Sequence, residues 1–506
     1  MKKYGWIILL FVFLLPVIWP LLRSGFFSSD DGEWMVIRLT ALHQALASGQ
    51  FPARFAYRLN FGYGYPIFNF AYPGSFYLAE IFYLLGFSAV SSVKLIFSIS
   101  ILLSGLFTFL WLKSKFSGLA SFLGSMLYVY SPYFLWDIYK RGSLGEVFFL
   151  ALIPLFLWSA EMKKWLAAGF VFGLMIISHN VLALIFSPVL IFYFFLAHGF
   201  TSKVFRSAFL TIFLSLVLSA FFWVPALWES RLTVLSQTLV SDPLDHLVEN
   251  PILLGLINLA VFFLAIGLFL KKKGRLLGFF LAVFSLALFF STGLSTFFWQ
   301  IFPWSFLIQY PFRFLSLTLP AAAFLGAFIF DRTFKKRRVI WFVLTLLVLF
   351  YTSLPFAKPK EFFDKNENFY LTNEHSTAIH NEYTPIWVKV APLERAKEKI
   401  EVFEGQAVLK NFKDDGRTIN FESQAEEPSL IRVNVLYYPG WQVLVDGKRS
   451  VFSIENEKGV IEIPLSKGQH QVRLVFKETP SRLFADLISL SSLIFVGGWL
   501  VKKRRI

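Results

Sequence analysis

The chain has no cysteine and carries little charge for its length. Of its 506 residues, only 16% are charged and 56% are hydrophobic. The absence of cysteine excludes disulfides, thiolate catalysis and cysteine-ligated metal. Soluble domains carry roughly 25% charged residues, so a chain this long and apolar could not cover itself with a polar surface. The composition excludes an ordinary soluble enzyme and predicts a polytopic α-helical membrane protein.

Acidic residues are scarce, and they are unevenly distributed. The chain holds 32 Asp and Glu against 48 Lys and Arg, a net charge of +16. Residues 356–480 contain 19 of the acids and 17 of the bases, so the remainder is strongly basic. Lys and Arg collect on the cytoplasmic side of membrane proteins, and the excess therefore indicates topology rather than nucleic-acid binding. The sequence predicts a basic membrane body joined to a near-neutral polar domain.

Hydrophobic runs separated by short basic loops predict about 12 transmembrane helices. The first, Tyr4 to Leu22, follows Lys2 and Lys3 and lacks a small-residue cleavage site, so we expect a retained signal anchor with a cytoplasmic N-terminus. The basic clusters, ending with Lys502–Arg505, are predicted to be cytoplasmic, as is the C-terminus. The other predicted spans are 88–112, 118–135, 146–160, 164–178, 181–198, 206–228, 251–270, 276–291, 312–330, 339–355 and 483–501.

Three domains follow from this topology. They are a transmembrane domain (1–355) with a long first outer loop (23–87), an extracytoplasmic β-rich domain (356–480), and a final transmembrane helix with a basic tail (481–506). Within the outer loop, residues 33–48 and 75–86 predict helices at the membrane surface. Residues 51–73 predict an irregular aromatic loop at headgroup depth.

Alternating apolar and polar residues predict a β-sandwich in the polar domain. Turn signals such as Pro439-Gly440 and Asp446-Gly447 separate the runs. The predicted strands are Leu430–Leu436, Trp441–Val445, Val460–Ile463 and Gln471–Phe476.

Few carboxylates are predicted on the outer side of the membrane. Ionisable groups at membrane level are costly and mark either a site or an internal pair. Asp30 and Asp31 directly follow the first span, and the alternative to a catalytic role is a cap for the helix that follows. Asp31 and Arg38 are seven residues apart and so share a helix face. Asp242, Asp245 and Glu249 lie in a predicted outer loop with His246. The informative outer acids of the membrane body are Asp30, Asp31, Glu33, Glu80, Asp137 and Glu146.

Asp137, Arg141 and Glu146 lie close together at one predicted outer boundary. A guanidinium suits phosphate, so Arg141 could bind an anionic headgroup while a carboxylate orients it. The alternative is a local ion-pair network that stabilises the loop. His179 breaks a hydrophobic stretch, which is more typical of a hydrogen-bonded turn residue than of a ligand. Arg313 lies at a predicted outer helix start, where an interfacial anchor is the alternative.

Seven segments in the same order resemble a known group of membrane proteins. The segments are Asp31-Gly-x-Trp34-x-x-x-Arg38, Ser48-Gly-Gln-Phe-Pro52-Ala-Arg54, Gly62-Tyr-Gly-Tyr-Pro66, Tyr133-x3-Asp137-x-Tyr139-x-Arg141-Gly-x3-Glu146, Ser178-His-Asn180, Gln309-Tyr-Pro-Phe-Arg313-Phe, and Tyr437-Tyr-Pro-Gly-Trp441 with Asp446-Gly447. They resemble the bacterial and archaeal proteins labelled pyruvoyl-tetrahydropterin-synthase-related, which are akin to YfhO-like proteins. Both groups look like members of the GT-C glycosyltransferase superfamily. Such sequences often have His where this one has Met35.

The resemblance implies a GT-C-type glycosyltransferase of the cell membrane. It would take a hexosyl or pentosyl group from a polyprenyl-phosphate carrier at the outer face. The acceptor would be a cell-envelope glycan, lipid or protein, and the transfer would be inverting. The alternatives are a transporter or flippase for lipid-linked glycans, or a non-catalytic assembly factor. Membrane lipids are expected partners, and nucleic acid is not.

The same resemblance implies roles for particular residues. Asp31, or its neighbour Asp30, would be the catalytic base. Tyr437, Tyr438 and Trp441 would either contact acceptor glycan or form a core turn. No metal motif and no certain cofactor is predicted; a divalent cation could bridge carboxylates, but no motif supports one. The carrier phosphate and sugar would be bound by Arg38, Asp137, Arg141, Glu146, His179 and Arg313.

Overall fold

The computed structural model describes residues 3–236, 242–249, 251–301, 308–333, 336–378 and 381–504. The basic residues Lys2, Lys335 and Arg505, which contribute to the predicted topology, lie outside these ranges. The helices are α1 (Lys3–Ile18), α2 (Gly32–Ala47), α3 (Gly74–Leu84), α4 (Ala89–Lys113), α5 (Gly118–Val129), α6 (Pro132–Trp136), α7 (Leu144–Glu161), α8 (Trp165–Ser178), α9 (Asn180–His198), α10 (Ser202–Leu218), α11 (Ala220–Glu229), α12 (Leu256–Lys271), α13 (Arg275–Ser291), α14 (Thr296–Ile301), α15 (Thr318–Thr333), α16 (Arg338–Ser353), α17 (Glu367–Thr372) and α18 (Pro480–Arg504). The strands are β1 (Phe26–Phe27), β2 (Phe362–Phe363), β3 (Ile400–Glu404), β4 (Ala407–Asp414), β5 (Thr418–Ala425), β6 (Ser429–Leu436), β7 (Trp441–Val445), β8 (Lys448–Arg449), β9 (Val460–Leu465) and β10 (Gly468–Phe476).

Several of these helices are long and apolar enough to cross a membrane. Within the described ranges there are seven, or up to nine if each of two interrupted helix pairs forms one span. The interrupted pairs are Ser202–Leu218 with Ala220–Leu232, and Arg275–Ser291 with Gly293–Ile301. Three further predicted spans correspond to the shorter apolar helices α5, α8 and α12. The predicted multi-pass helical protein is confirmed, whereas the number twelve stays a prediction. The single candidates are Gly5–Leu22, Ala89–Lys113, Leu144–Glu161, Asn180–His198, Pro311–Thr333, Arg338–Ala357 and Pro480–Gly498.

The chain divides into two compact units, and both are discontinuous in sequence. Unit 1 contains Met1–Met35, Tyr77–Ser219 and Ser241–Lys365. Unit 2 contains Val36–Phe76, Ala220–Val240 and Asn366–Ile506. The β-rich region therefore folds together with part of the first outer loop, which the sequence prediction assigns to the transmembrane domain.

Unit 1 is a helical body whose helices approach closely where residues are small. A Cβ built on Gly124 of α5 would lie 2.6 Å from the carbonyl oxygen of Ala323 in α15. Small residues at such contacts let membrane helices pack backbone to backbone. Unit 1 also pairs β1 with β2 in antiparallel register. Lys94 of α4 supports this pair, since its ammonium donates to the carbonyl of Gly25 at 2.8 Å.

Unit 2 is built around two antiparallel sheets with a common core. Their strand orders are β4-β5-β10-β7-β8 and β3-β6-β9. Apolar side chains of both sheets, including Phe421, Val433, Ile463 and Leu474, belong to one buried cluster. This is the arrangement of a β-sandwich. The four predicted strands are confirmed as β6, β7, β9 and β10.

The aromatic loop 51–73 differs from its prediction. Phe55 packs against Trp441 with ring centroids 5.9 Å apart, and Phe70 stacks on Tyr383 at 5.3 Å. Phe55, Phe70, Trp441 and Tyr438 are all buried in the core of unit 2. The loop therefore supplies core residues rather than headgroup contacts, and Tyr438 and Trp441 form a core turn rather than a glycan surface. The helices predicted at 33–48 and 75–86 are present as α2 and α3.

Candidate active site

Two segments that the sequence singles out lie side by side in unit 1. The backbone N–H of Asp30 donates to the Lys140 carbonyl at 2.8 Å, and that of Asp31 donates to the Arg141 carbonyl at 2.7 Å. The next residue, Gly142, has a φ of 69°, and a Cβ there would lie 2.6 Å from the backbone nitrogen of Gly32. Glycine avoids both the left-handed strain and this collision. The close approach fixes the start of α2 against the loop that carries Arg141.

The neighbouring carboxylates of Asp30 and Asp31 have different surroundings. Asp30 forms an ion pair with Lys140, and both side chains are about half exposed. The Asp31 carboxylate is partly buried and makes no hydrogen bond or ion pair with any described residue. The hydroxyl of Ser29 accepts the N–H of Gly32 at 3.2 Å, so the first turn of α2 is capped by Ser29. The capping alternative therefore does not account for the Asp31 side chain.

Arg141 lies on a π-helical turn, Asp137–Arg141, that follows α6. Such turns are rare and are found frequently at functional sites. The Nη1 of Arg141 donates to Asp137 Oδ1 at 2.6 Å and also to Glu146, whereas Nε and Nη2 donate to no described residue. The guanidinium lies over the rings of Trp136 and Phe312, at 5.7 and 4.9 Å from their centroids. Burial raises the pKa of the Asp137 carboxyl, and the Glu146 charge adds to this rise while Arg141 opposes it.

Glu146 is the carboxylate on which the predicted residues converge. It is fully buried at the start of α7. Tyr133 donates its hydroxyl to Oε1 at 3.1 Å. The Nε of Arg313 and the Nε2 of His179 each lie 3.9 Å from Oε2. Asp137, Arg141, Glu146, His179 and Arg313 are thus brought together in unit 1.

His179 has the turn role that the sequence favours. Its Nδ1 accepts the backbone N–H of Leu182 at 3.2 Å and so caps the start of α9. A neutral imidazole that accepts through Nδ1 carries its proton on Nε2. The Nε2–H therefore faces the Glu146 carboxylate at 3.9 Å, beyond hydrogen-bond distance.

Arg313 is not an interfacial anchor that extends to the headgroups. Its side chain is buried, its Nη1 donates to the Ile308 carbonyl at 2.7 Å, and it lies over the Tyr310 ring at 4.8 Å. Its Nε is buried and forms no hydrogen bond with the described residues. Asp137 Oδ2 is also buried and also forms no hydrogen bond with them. Buried polar atoms normally have partners. A bound polar group could therefore accept from Arg313 Nε and donate to Asp137 Oδ2.

Arg38, the remaining predicted site residue, belongs to unit 2. Its guanidinium donates to the hydroxyl of Thr377 at 3.0 Å and to the carbonyl of the same residue. These bonds give Arg38 a structural partner, and its phosphate-binding role stays a prediction. Sequence reasoning did not select His246, whose ring lies 4.7 Å from Tyr310 and 6.2 Å from Phe312. Its place on a loop between two apolar segments, where functional residues concentrate, is the signal that could have found it.

The described part of the chain shows no evident metal-binding site. No group of three or more His, Asp or Glu residues there could hold one. Arg141 lies between the two closest carboxylates, Asp137 and Glu146, and its positive charge opposes a second cation at that point.

Comparison with known proteins gives a fold likeness at low similarity. No family model matches the chain. No curated protein matches it either. The arabinofuranosyltransferase AftD from Mycobacteria has a TM-score of 0.49 and 15% identity, over 73% of this chain and 28% of that one. The oligosaccharyltransferase of Archaeoglobus fulgidus in its apo form has a TM-score of 0.44 and 14% identity, over 70% of this chain and 56% of that one.

A further structure of the archaeal enzyme was determined with ligands. It is AglB from Archaeoglobus fulgidus in complex with an inhibitory peptide and a dolichol-phosphate. Its TM-score is 0.43 and its identity 14%, over 74% of this chain and 56% of that one. The chain thus spans between about a quarter and just over half of these longer proteins. At this level of similarity the likeness assigns neither a family nor an activity to the chain.

Proposed function

We propose that the chain is a membrane glycosyltransferase that transfers a sugar from a polyprenyl-phosphate carrier to an acceptor. The acceptor would be a cell-envelope glycan, lipid or protein, and the reaction would occur at the extracytoplasmic face of the cell membrane. One observation carries the proposal. The Asp31 carboxylate, which no described residue binds, is held by backbone hydrogen bonds beside the buried cluster that contains Arg141 and Arg313.

The charges of the cluster favour an anionic ligand. Two guanidiniums face the carboxyls of Asp137 and Glu146. Burial and the Glu146 charge raise the pKa of the Asp137 carboxyl, which disfavours its charged form, while Arg141 and Arg313 oppose this rise. The guanidinium is well suited to phosphate, and Arg141 still has Nε and Nη2 available to donate. The cluster can therefore hold the phosphodiester of a lipid-linked sugar.

In the proposed reaction, the Asp31 carboxylate and the two guanidiniums have different roles. Asp31 accepts the proton of an acceptor hydroxyl as its oxygen attacks the anomeric carbon of the sugar. The bond between that carbon and the carrier phosphate breaks, and the phosphate leaves with a second negative charge. Arg141 and Arg313 stabilise this developing charge. A single displacement of this kind inverts the anomeric configuration.

Asp31 is the better base of the two adjacent aspartates. Asp30 already accepts from the ammonium of Lys140 through Oδ1, so its charge is compensated. Asp31 has no such partner among the described residues, and the Arg141 guanidinium lies close enough for their charges to interact. A carboxylate that must take a proton from a hydroxyl needs a free oxygen within hydrogen-bond reach of it.

The proposal is tested by supplying donors to the purified full-length chain in detergent or nanodiscs. We expect transfer of sugar from polyprenyl-phosphate-linked donors, with an inverted product, and no comparable use of nucleotide sugars. Binding of these donors without transfer to any acceptor would instead favour a transporter or an assembly factor. Failure of the folded chain to bind any polyprenyl-phosphate-linked sugar would contradict the proposal.

A further inference from the structure

The loop 242–249 of unit 1 presents a histidine to the aromatic face of the arginine cluster. His246 is partly buried at the end of a short 3₁₀ turn, Pro243–His246. Its ring meets Tyr310 edge to face with centroids 4.7 Å apart, and it meets Phe312 at 6.2 Å. Tyr310 and Phe312 stack on each other at 5.2 Å. The same two rings carry the guanidiniums of the cluster.

This shared contact brings His246 near two fixed positive charges. Arg313 lies 4.8 Å from the centroid of Tyr310, and Arg141 lies 4.9 Å from that of Phe312. Burial lowers the pKa of His246, and the charges of Arg141 and Arg313 lower it further, while Asp245 on the same turn opposes them. Without a bound anion, the imidazole is thus held towards its neutral form.

The position of His246 is fixed at both ends of its loop. The Asp242 carboxylate accepts the N–H of Leu244 at 2.9 Å, which caps the turn. The N–H of Val248 donates to the carbonyl of Ser291 at 2.7 Å, which ties the loop to the end of α13. The turn packs against α14 (Thr296–Ile301), which has no ionisable residue, and against the segment that carries Arg313. Among the described residues, the charges of Arg141, Arg313 and Asp245 act on the ring.

We propose that His246 is a third binding residue for the carrier phosphate, and that it takes up a proton when the phosphate binds. A phosphodiester placed between Arg141 and Arg313 would neutralise the charges that keep the imidazole neutral. The protonated ring then adds a positive charge to the site and can donate a hydrogen bond to the phosphate. This inference rests on the proposed function, because it assigns a further residue to the same phosphate site.

Linkage fixes the direction of the pH dependence. Because binding raises the pKa of His246, the complex holds more protons than the free protein, and binding tightens as the pH falls. Between the pKa of the free protein and that of the complex, uptake of one proton changes the dissociation constant by about tenfold per pH unit. Above the higher pKa and below the lower one, affinity does not depend on this group.

The test measures binding of a soluble short-chain prenyl phosphodiester of a hexose to the purified full-length chain between pH 5 and 8. A phosphodiester keeps one negative charge over this range, so the probe itself does not titrate. We expect the wild-type affinity to rise as the pH falls, by up to about tenfold per unit. His246→Gln should remove this slope. His470→Gln, the same substitution in unit 2, should retain the slope.

Each other outcome overturns the inference in a recognisable way. If His246→Gln keeps the wild-type slope of affinity against pH, or loses affinity equally at every pH, then His246 does not take up a proton on binding and contributes only a structural contact. A wild type with pH-independent binding also contradicts the inference, although it leaves the proposed function intact. A folded wild type that binds the probe at no pH contradicts both, which distinguishes the two failures.

Discussion

Three buried arginines in the chain each face acidic residues far away in sequence or on the next element. In unit 2, Arg54 pairs with Glu478 and Asp486 at 3.2 and 2.6 Å. Arg482 binds both oxygens of Glu229, at 2.8 and 2.7 Å. In unit 1, Arg141 binds Asp137 and Glu146. Only the last set shows in the sequence, because both acids lie within five residues of Arg141, whereas the other partners are hundreds of residues apart.

The hydrogen bonds of Glu229 predict that the substitution Glu229→Gln lowers the free energy of unfolding substantially. Glu229 is almost fully buried and also accepts from Tyr438 and Asn69, at 2.7 and 2.8 Å. Glu229→Gln removes the charge and leaves Arg482 buried without a counter-ion, which costs about 3–5 kcal/mol. The measurement is the free energy of unfolding in mixed micelles.

The control for this substitution is Glu374→Gln. Glu374 pairs with Arg395 at 3.4 Å, and the Arg395 side chain is 73% exposed. An exposed pair contributes roughly 0–1 kcal/mol, so this variant should remain near the wild type. Equal losses in the two variants would show that burial of the Glu229 pair is not what stabilises unit 2.

At the scale of elements, the sequence predicted the strands and helices whose patterns are regular. The strands β6, β7 and β10 alternate in burial over part of their length, whereas β9 is buried at five of its six positions. β5 alternates along its whole length but was not predicted. β4 was missed because nearly all of its residues are exposed, and its register shifts between Lys410 and Lys413. The π-helical turn Asp137–Arg141 was also missed, since no residue pattern distinguishes it from an ordinary helix end.

The turn that follows Arg141 gives a prediction about a single glycine. Gly142→Ala adds left-handed strain, roughly 1–2 kcal/mol, and a collision with the backbone of Gly32. The segments that hold Asp31 and Arg141 must then separate, so we expect sugar transfer to fall by at least tenfold, about 1.4 kcal/mol in the barrier. The measurement is the transfer rate of the folded, purified variant.

Gly86 provides the matched glycine control. Its φ is 93°, but a Cβ there would meet no atom within 4 Å. Gly86→Ala therefore carries the backbone strain without the collision, and its transfer rate should stay close to that of the wild type. If both variants lost activity equally, close packing at Gly142 would not be what positions the site.

At the scale of the whole molecule, the pairing of β1 with β2 constrains the topology. Paired strands lie on one face of the membrane, so the chain must cross it an even number of times between them. Among the described residues, the candidate spans between them are five single helices and two interrupted pairs, an odd number. One or all three of the shorter helices α5, α8 and α12 must therefore also cross, or one interrupted pair must return to its own face. All three crossing restores the twelve spans predicted from the sequence.

The lack of native cysteine makes this topology directly measurable. Single cysteines at Ser24 and Lys360, which are exposed beside β1 and β2, should react with an impermeant maleimide from the same face of intact cells or oriented vesicles. If both or neither of α5 and α8 cross, a cysteine at Ser202, the first residue of α10, should react only from the opposite face. Labelling of positions 24 and 360 from opposite faces would contradict the β1–β2 pairing.

The sequence predicted only some of the residues of the candidate site. The motifs around Asp31, Arg141 and Arg313 were visible, and all three lie in unit 1. Sequence spacing could not show which of the two aspartates forms an ion pair, because the partner of Asp30 is Lys140, more than a hundred residues later. Nor could it show His246 beside the arginines, since that contact depends on tertiary packing of an outer loop.

The most direct test compares the two adjacent aspartates in the same transfer assay. Asp31→Asn and Asp30→Asn each replace one carboxylate by an amide of nearly equal size. A general base contributes about 10²–10⁴-fold to a rate, so we expect Asp31→Asn to lose activity on that scale. Asp30→Asn breaks only an exposed ion pair, roughly 0–1 kcal/mol, and should lose no more than a few-fold. Undiminished transfer by Asp31→Asn, alone or combined with Asp30→Asn, would contradict the account.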